Sequence, residues 1–231
     1  MIAPIQRGPN LWTLDGAMQN AWFPLDLRMT AIRLADGSLF LHSPLAPLND
    51  IAPHLDTIGP VRWIVAPGLP HHLYVGDYLN RYPAAKLYGA PGLPQKRTDL
   101  KFDGVLSDTA PSYWSDEIEQ LFFRGVPRIN EVLFFHKPSR TVIATDLVFN
   151  LKYDPKRAPM VRLFAFTMGA NDRFGPHRLV RSMIKDQVAA RESVKRVLEW
   201  DFDRVIVSHG EVLESGGHEK FASAFAYLWK S

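Results

Sequence analysis

The segment EVLFFHKPSRTVIATD, running from Glu131 to Asp146, decides the fold. Glu131–His136 and Thr141–Ala144 are short apolar runs rich in β-branched and aromatic residues, joined by the Lys137-Pro138-Ser139-Arg140 turn. Such a pattern predicts an antiparallel hairpin. With Pro138 and Ser139 as its two loop residues, Phe134 faces Ile143 and Glu131 faces Asp146, and facing residues point to the same side of a sheet. Two carboxylates at the open end of one hairpin repel unless a cation, a proton or a histidine lies between them. Asp146 and Glu131 are therefore candidate catalytic carboxylates, with Glu131 as a partner that orients a ligating imidazole.

The chain on either side of this hairpin follows one grammar. Upstream, Arg28–Leu34 and Leu39–His42 read as strands around an Asp36-Gly37 hairpin signal. Pro47 opens a helix over Leu48–Ile58, which Gly59-Pro60 stops. Val61–Val65 is an apolar strand, a helix runs from His71 or His72 to Tyr82, and Ala85–Tyr88 is another strand. Glu117–Phe123 precedes the central hairpin as a strand. Downstream, a helix is clearest over Gln187–Trp200, with Val188, Val194, Val197 and Leu198 as its apolar stripe. Arg204–Val207 is a strand and Phe221–Trp229 a C-terminal helix. Two halves, each with hairpin strands and then helices, predict two sheets packed face to face with helices outside.

Functional groups of layered α/β proteins collect just past strand ends. His42, His71-His72, Asp146 and His209 all fall there, each after a different strand or its loop. Imidazole with carboxylate suits zinc, iron or manganese. Taken singly, each has an ordinary structural role open to it, Asp146 as a helix cap and His209 beside Gly210 in a turn. Their coincidence at successive strand ends argues for one shared site.

Composition removes several alternatives. The chain has 231 residues with 27 Lys+Arg against 24 Asp+Glu, a formal charge of +3, and 46% hydrophobic residues. That excess is too small to imply a nucleic-acid partner, and Trp12, Trp22 and Trp63 show no spacing with basic residues that would make a base-stacking surface. With no cysteine, disulfides, thiolate nucleophiles and Cys-ligated zinc are impossible. Gly8, Gly16 and Gly37 make no phosphate loop, and no G-x-S-x-G elbow occurs. No apolar run is long enough to span a bilayer, and the opening Met1–Arg7 lacks a signal-peptide pattern. The expectation is one domain over residues 1–231, cytoplasmic, with a small-molecule substrate or ligand and neither nucleic acid nor membrane as partner.

These residues resemble the metallo-β-lactamase fold superfamily over most of the chain, from about Leu11 to Leu213. Ser208-His209-Gly210 resembles that family's last metal ligand, closing a late strand, and Asp146 in Ala144-Thr145-Asp146-Leu147 resembles its bridging aspartate. Leu41-His42-Ser43-Pro44 looks like the strand that usually ends in Asp-x-Gly. The hallmark H-x-H-x-D-H motif is degenerate: Pro67-Gly68-Leu69-Pro70-His71-His72 occupies its positions. Pro67 and Leu69 replace the first two histidines, His71 stands in place of the aspartate, and His72 keeps the last histidine. The histidine that normally precedes the Asp146 hairpin is missing, with Gly125-Val126-Pro127 in its neighbourhood. The resemblance is to a branch without an assigned reaction.

What the resemblance implies is an α/β fold, a four-layer αββα sandwich, with one metal site stripped of its ligands and the other retaining His72 and His209, with His71 in place of the aspartate and Asp146 shared. His71, His72, Asp146 and His209 are the expected ligands of one divalent metal, zinc ahead of iron or manganese. The expected activity is mononuclear metal-dependent hydrolysis of an ester, lactone or related bond, with Arg28 a candidate for holding an anionic substrate group. The alternative is a non-catalytic protein of the same fold that binds a small ligand or a protein partner.

Overall fold

The computed structural model describes residues 2–17, 26–155 and 159–229; Met1 and Trp22 lie outside them. The first sheet runs in chain order through β1 (Ile5–Gly8), β2 (Leu11–Ala17), β3 (Asp26–Arg33), β4 (Leu39–His42), β5 (Val61–Ala66), β6 (Lys86–Gly89) and β7 (Gly104–Val105). Its first four strands are antiparallel and β4 to β7 are parallel. Next come β8 (Ile118–Phe122), β9 (Val132–His136) and β10 (Thr141–Ala144) of a second sheet, then the small pair β11 (Phe149–Leu151) and β12 (Arg173–Gly175). β13 (Arg204–Val207) returns to the second sheet, in parallel beside β10. The helices are α1 (Leu48–Ile58), α2 (Val75–Arg81), the short α3 (Leu93–Lys96), α4 (Pro159–Thr167), α5 (Arg178–Met183), α6 (Gln187–Val197) and α7 (Gly217–Phe225).

The central hairpin has the register its sequence predicts, with Ile143 against Phe134 and Thr141 against His136. Its strands are buried on both faces, which is why they read as continuous apolar runs. Alternation sends Val132, Phe134, Ile143 and Ile206 into a core shared with the first sheet, where Phe134 meets Phe40 with ring centroids 5.5 Å apart. Leu133, Phe135, Val142, Val205 and Val207 point the other way, into a second core with α6 and α7. On the outer side of the first sheet, α1 and α2 add Ile51, Leu55, Val75 and Tyr78 to the first core. The layers are therefore α, β, β, α, as expected.

Differences from the sequence reading are local. α1 has the predicted bounds, but α2 begins at Val75, and His71 and His72 lie in the turn before it. The buried stripe of α6 is Ala190, Ser193, Val194 and Val197, whereas Val188 is 66% exposed. Nine residues from Val197 at about 100° each put Val188 on the opposite face, so it never belonged to that stripe. α6 ends at Val197 and α7 starts at Gly217, earlier than predicted. The β11–α4–β12 excursion between β10 and β13 of the second sheet is an addition that sequence did not disclose. Among the described residues no helix is long and apolar enough to cross a membrane.

Candidate metal centre

Asp146 leaves the end of β10 in a loop whose backbone is held by one side chain. The Glu131 carboxylate, 1% exposed, accepts the N–H of Thr145, that of Asp146 at 2.8 Å and that of Leu147 at 2.7 Å. Glu131 therefore sits opposite Asp146 as predicted, but it grips the loop backbone rather than an imidazole. Burial, then the Asp146 charge, push its carboxyl up to about 7 against the pull of those N–H groups.

Two histidines flank Asp146. His209 follows β13, and its Nδ1–H donates to the backbone carbonyl of Asp26 at 2.7 Å. In a neutral ring that bond leaves the lone pair on Nε2, 3.1 Å from Asp146 Oδ1; in a protonated ring Nε2–H donates to the same oxygen. His71 sits in the turn after β5, with Nδ1 2.7 Å from Ser43 Oγ and Nε2 3.2 Å from Asp146 Oδ2. Burial alone would raise the Asp146 carboxyl, but His71 and His209 outweigh it and hold it well below the usual carboxylate range. Oδ2 is buried, and His71 Nε2 is its polar neighbour. A neutral His209 facing a carboxylate places two acceptors together, an arrangement that calls for a shared proton or a cation. One donor atom each from His71, Asp146 and His209 lie within 4.8 Å of one another, and two imidazoles with a carboxylate fit zinc.

The His209 loop is fixed from several sides. Gly210 has φ +99°, and a Cβ there would sit 2.3 Å from the Asn150 carbonyl oxygen, so this close approach to β11 requires glycine. Asn150 closes the contact by accepting from the Glu211 N–H at 2.9 Å and donating from Nδ2 to the Glu211 carbonyl at 2.9 Å. Phe149 stacks on the His209 ring, centroids 4.9 Å apart. Arg28 is also part of this support: Nη1 donates to the carbonyls of Val207 and Gly210, and Nε and Nη2 donate to Asp15. It therefore positions the strand end and does not present itself to a substrate anion, contrary to expectation.

His72 does not join the group. Its Nδ1 accepts from Arg97 Nη1 at 2.9 Å, since a guanidinium only donates, and this puts the proton of a neutral ring on Nε2. Burial, reinforced by Lys96 and Arg97, lowers its pKa and keeps it neutral. Neither nitrogen then offers a lone pair to a metal. His42 is also outside the group, buried edge-on against Phe134 and pushed down to about 3 by burial. Two residues that sequence reasoning missed support the site: Ser43, which orients His71, and His177. His177 caps α5 and packs its ring on Phe149 at 4.4 Å, behind His209. Histidine is an uncommon helix cap, so nothing in Gly175-Pro176-His177 signals this position.

A cavity of about 120 Å³ lies against His71, Asp146 and His209, with Leu27, Pro44, Leu45, Leu73 and Tyr74 among its walls. A larger cleft of about 620 Å³, with Arg7, Asp15, Arg28 and Glu214 in its lining, contains none of the three clustered residues.

Compared with known proteins, residues 9–174 match a family model described as Domain of unknown function (DUF4336). No curated protein matches the sequence. Among solved structures, a metallo-β-lactamase from Pontibacter korlensis superposes with a TM-score of 0.67 at 11% identity, covering 100% of both chains. The metallo-β-lactamase FIM-1 from Pseudomonas aeruginosa, in its mono-zinc form, gives 0.63 at 12% identity over 100% of this chain and 96% of its own. The Flv1 flavodiiron core from Synechocystis sp. PCC6803 gives 0.66 at 8% identity over 99% of this chain and 60% of its own. At such identities the likeness is one of fold.

Proposed function

Since the chain belongs to the DUF4336 family and has the metallo-β-lactamase fold, we propose that it is a mononuclear metal-dependent hydrolase of ester, lactone or related bonds. The observation that carries this reading is the convergence of His71, Asp146 and His209 on one point. Zinc is the cation the donor set favours, and the mono-zinc form of a fold neighbour is a precedent for one ion in such a sandwich. A divalent cation held by these three residues would supply Lewis acidity toward a carbonyl oxygen and a nucleophile at neutral pH.

The chain's own groups do the rest. The Asp26 carbonyl fixes the His209 tautomer with Nε2 free to ligate, and Ser43 orients His71. Asp146, whose two oxygens face His71 and His209, would hold the cation through one of them and orient a water with the other. Glu131 keeps that carboxylate in place through its loop backbone. Leu27, Pro44, Leu45, Leu73 and Tyr74 give the cavity an apolar wall beside these groups.

The degenerate motif supports one ion rather than two. Pro67 and Leu69 bring no donor side chain, and their backbone is tied to the start of β9, with Pro67 O accepting from Val132 N at 2.8 Å. This loss also favours the second reading, a non-catalytic protein of this fold that binds a small ligand or a protein partner. The reading takes residues 1–231 as one domain, supported by a core that joins both sheets. It takes the protein as cytoplasmic, with a small molecule rather than nucleic acid or membrane as partner.

Metal content measured by mass spectrometry on untagged protein tests the proposal. One equivalent of zinc per chain is expected. Two equivalents, or a protein that refuses added zinc, would overturn it, the latter in favour of the non-catalytic reading.

A further inference from the structure

Ser43, His71 and Asp146 make a chain of contacts that has a second chemical use. Ser43 Oγ lies 2.7 Å from His71 Nδ1, and His71 Nε2 lies 3.2 Å from Asp146 Oδ2. A carboxylate beside one ring nitrogen draws the proton of a neutral imidazole to that nitrogen and leaves the other as an acceptor. With the proton on Nε2, Nδ1 accepts from the Ser43 hydroxyl. Hydroxyl, base and carboxylate then stand in the order of a nucleophilic triad, with the two ring nitrogens exchanged.

The backbone supports this use of Ser43. The residue directly follows β4 and has φ +57°, a left-handed conformation uncommon for a residue with a Cβ. Its N–H is tied to the Val65 carbonyl at 2.9 Å. Although Ser43 is buried, it lines the cavity together with His71 and Asp146. The flanking residues are not those of a Gly-x-Ser-x-Gly elbow, but the outcome is similar: a serine at a strand end, in a rare backbone conformation, beside a histidine. A second Ser–His pair lacks the rest. His136 Nδ1 is also 2.7 Å from Ser139 Oγ, but among the described residues no acidic group is paired with its Nε2, and neither residue lines the cavity.

We infer that Ser43 is a nucleophile toward esters or lactones when no cation occupies His71 Nε2, with His71 as its base and Asp146 positioning that base. Ser43 Oγ bonds to the carbonyl carbon as its proton passes to Nδ1. The proton then leaves with the alcohol as the C–O bond breaks. Water next gives a proton to Nδ1 and adds to the acyl carbon, and that proton returns to Oγ as the acyl–serine bond breaks. His72, held with its proton on Nε2, lines the same cavity and is a donor available to the oxyanion. The inference goes beyond the metal reading and does not rest on it. A cation on Nε2 would place the ring's proton on Nδ1, which would then donate to Ser43 instead of taking its proton. The two uses of His71 exclude each other.

Methanesulfonyl fluoride, small enough for a cavity of about 120 Å³, tests this on the whole chain after treatment with a chelator. Sulfonyl transfer to Oγ with release of fluoride, located by peptide mass spectrometry, is expected at Ser43 and not at Ser139. The rate should fall by about 100-fold or more in His71→Ala. Ser43→Gly, which suits a positive φ and keeps the turn, should lose the adduct from the intact mass. Asp146→Asn should slow labelling of the wild-type chain and add little in His71→Ala, whereas a general loss of structure would slow both. No label at Ser43 of the folded chain, or an equal rate in folded His71→Ala, would overturn the inference.

Zinc separates the two readings. A chain holding one equivalent should lose the labelling, and an undiminished rate at that occupancy would overturn the inference. Labelling of Ser43 in a chain that refuses zinc leaves the nucleophile standing and removes the metal reading. Zinc uptake with no label in the chelator-treated chain does the reverse.

Discussion

His209 donates its Nδ1–H to the carbonyl oxygen of Asp26, 2.7 Å away and 183 positions distant in sequence. This bond decides the tautomer of the neutral ring, because it assigns the lone pair to the nitrogen that faces Asp146. In His72 the assignment is reversed: Arg97 occupies Nδ1 and the proton falls on Nε2. Two histidines proposed for one role on sequence grounds are thus separated by their hydrogen-bond partners.

The separation predicts unequal mutants. His71→Ala and His209→Ala should each lose bound zinc, since two strong donors are too few to hold it against buffer and chelator. His72→Ala should retain zinc near one equivalent. Metal content after dialysis, measured by mass spectrometry with circular dichroism to verify folding, checks this. Loss of zinc from folded His72→Ala at the level of His209→Ala would return His72 to the ligand set.

A second prediction concerns acid stability, away from the site. Burial raises the Asp108 carboxyl, but Arg124, Arg196 and the Phe122 N–H outweigh it and hold it at about 2. A carboxyl depressed on folding contributes stability above its unfolded pKa, near 3.8, and loses it as pH falls toward 2. Because the group is partly exposed, the contribution is discounted to about 1–2 kcal/mol. Asp108→Asn should therefore be less stable than wild type by that amount at about pH 6, with the gap closing toward about pH 2.5. Urea denaturation at the two pH values measures the gap, and a constant difference across the range would contradict the assignment.

Much of this architecture was legible because the hairpin from Glu131 to Asp146 has a tight turn between two short apolar runs, and the turn fixes register. Once register is fixed, the facing of Glu131 and Asp146 follows; the strand ends where His71 and His209 emerge were legible separately, from the apolar runs Val61–Val65 and Arg204–Val207. The partners of those side chains were not legible. Ser43 reaches His71 across 28 residues and Arg28 reaches Gly210 across 182, through packing that no local pattern encodes. β11 and β12 are three residues each, too short for alternation to stand out. The error over Val188 was of another kind, since helical angle arithmetic already places it opposite Val197.

Glu131 supplies the last prediction, because it links hairpin register to the candidate centre. Both of its oxygens accept backbone N–H groups, from Thr145, Asp146 and Leu147, at a position almost closed to water. Glu131→Gln keeps the volume but replaces one acceptor with an amide that donates, so at least one N–H loses its partner and faces another donor. Such an unsatisfied buried group costs about 2–4 kcal/mol together with the lost charge-assisted bond, or roughly 5–12 °C in Tm for a chain of this length. The same change loosens the loop that aims Asp146, so zinc affinity should fall by about 10–100-fold, as for other groups that orient a metal ligand. A role in stability alone would lower Tm and leave the affinity of the folded protein unchanged. Calorimetric Tm and zinc titration in a competing chelator, both on Glu131→Gln, distinguish these cases. A variant that melts with wild type, or one that melts lower but binds zinc as tightly, would show that Glu131 does not hold Asp146 for the metal.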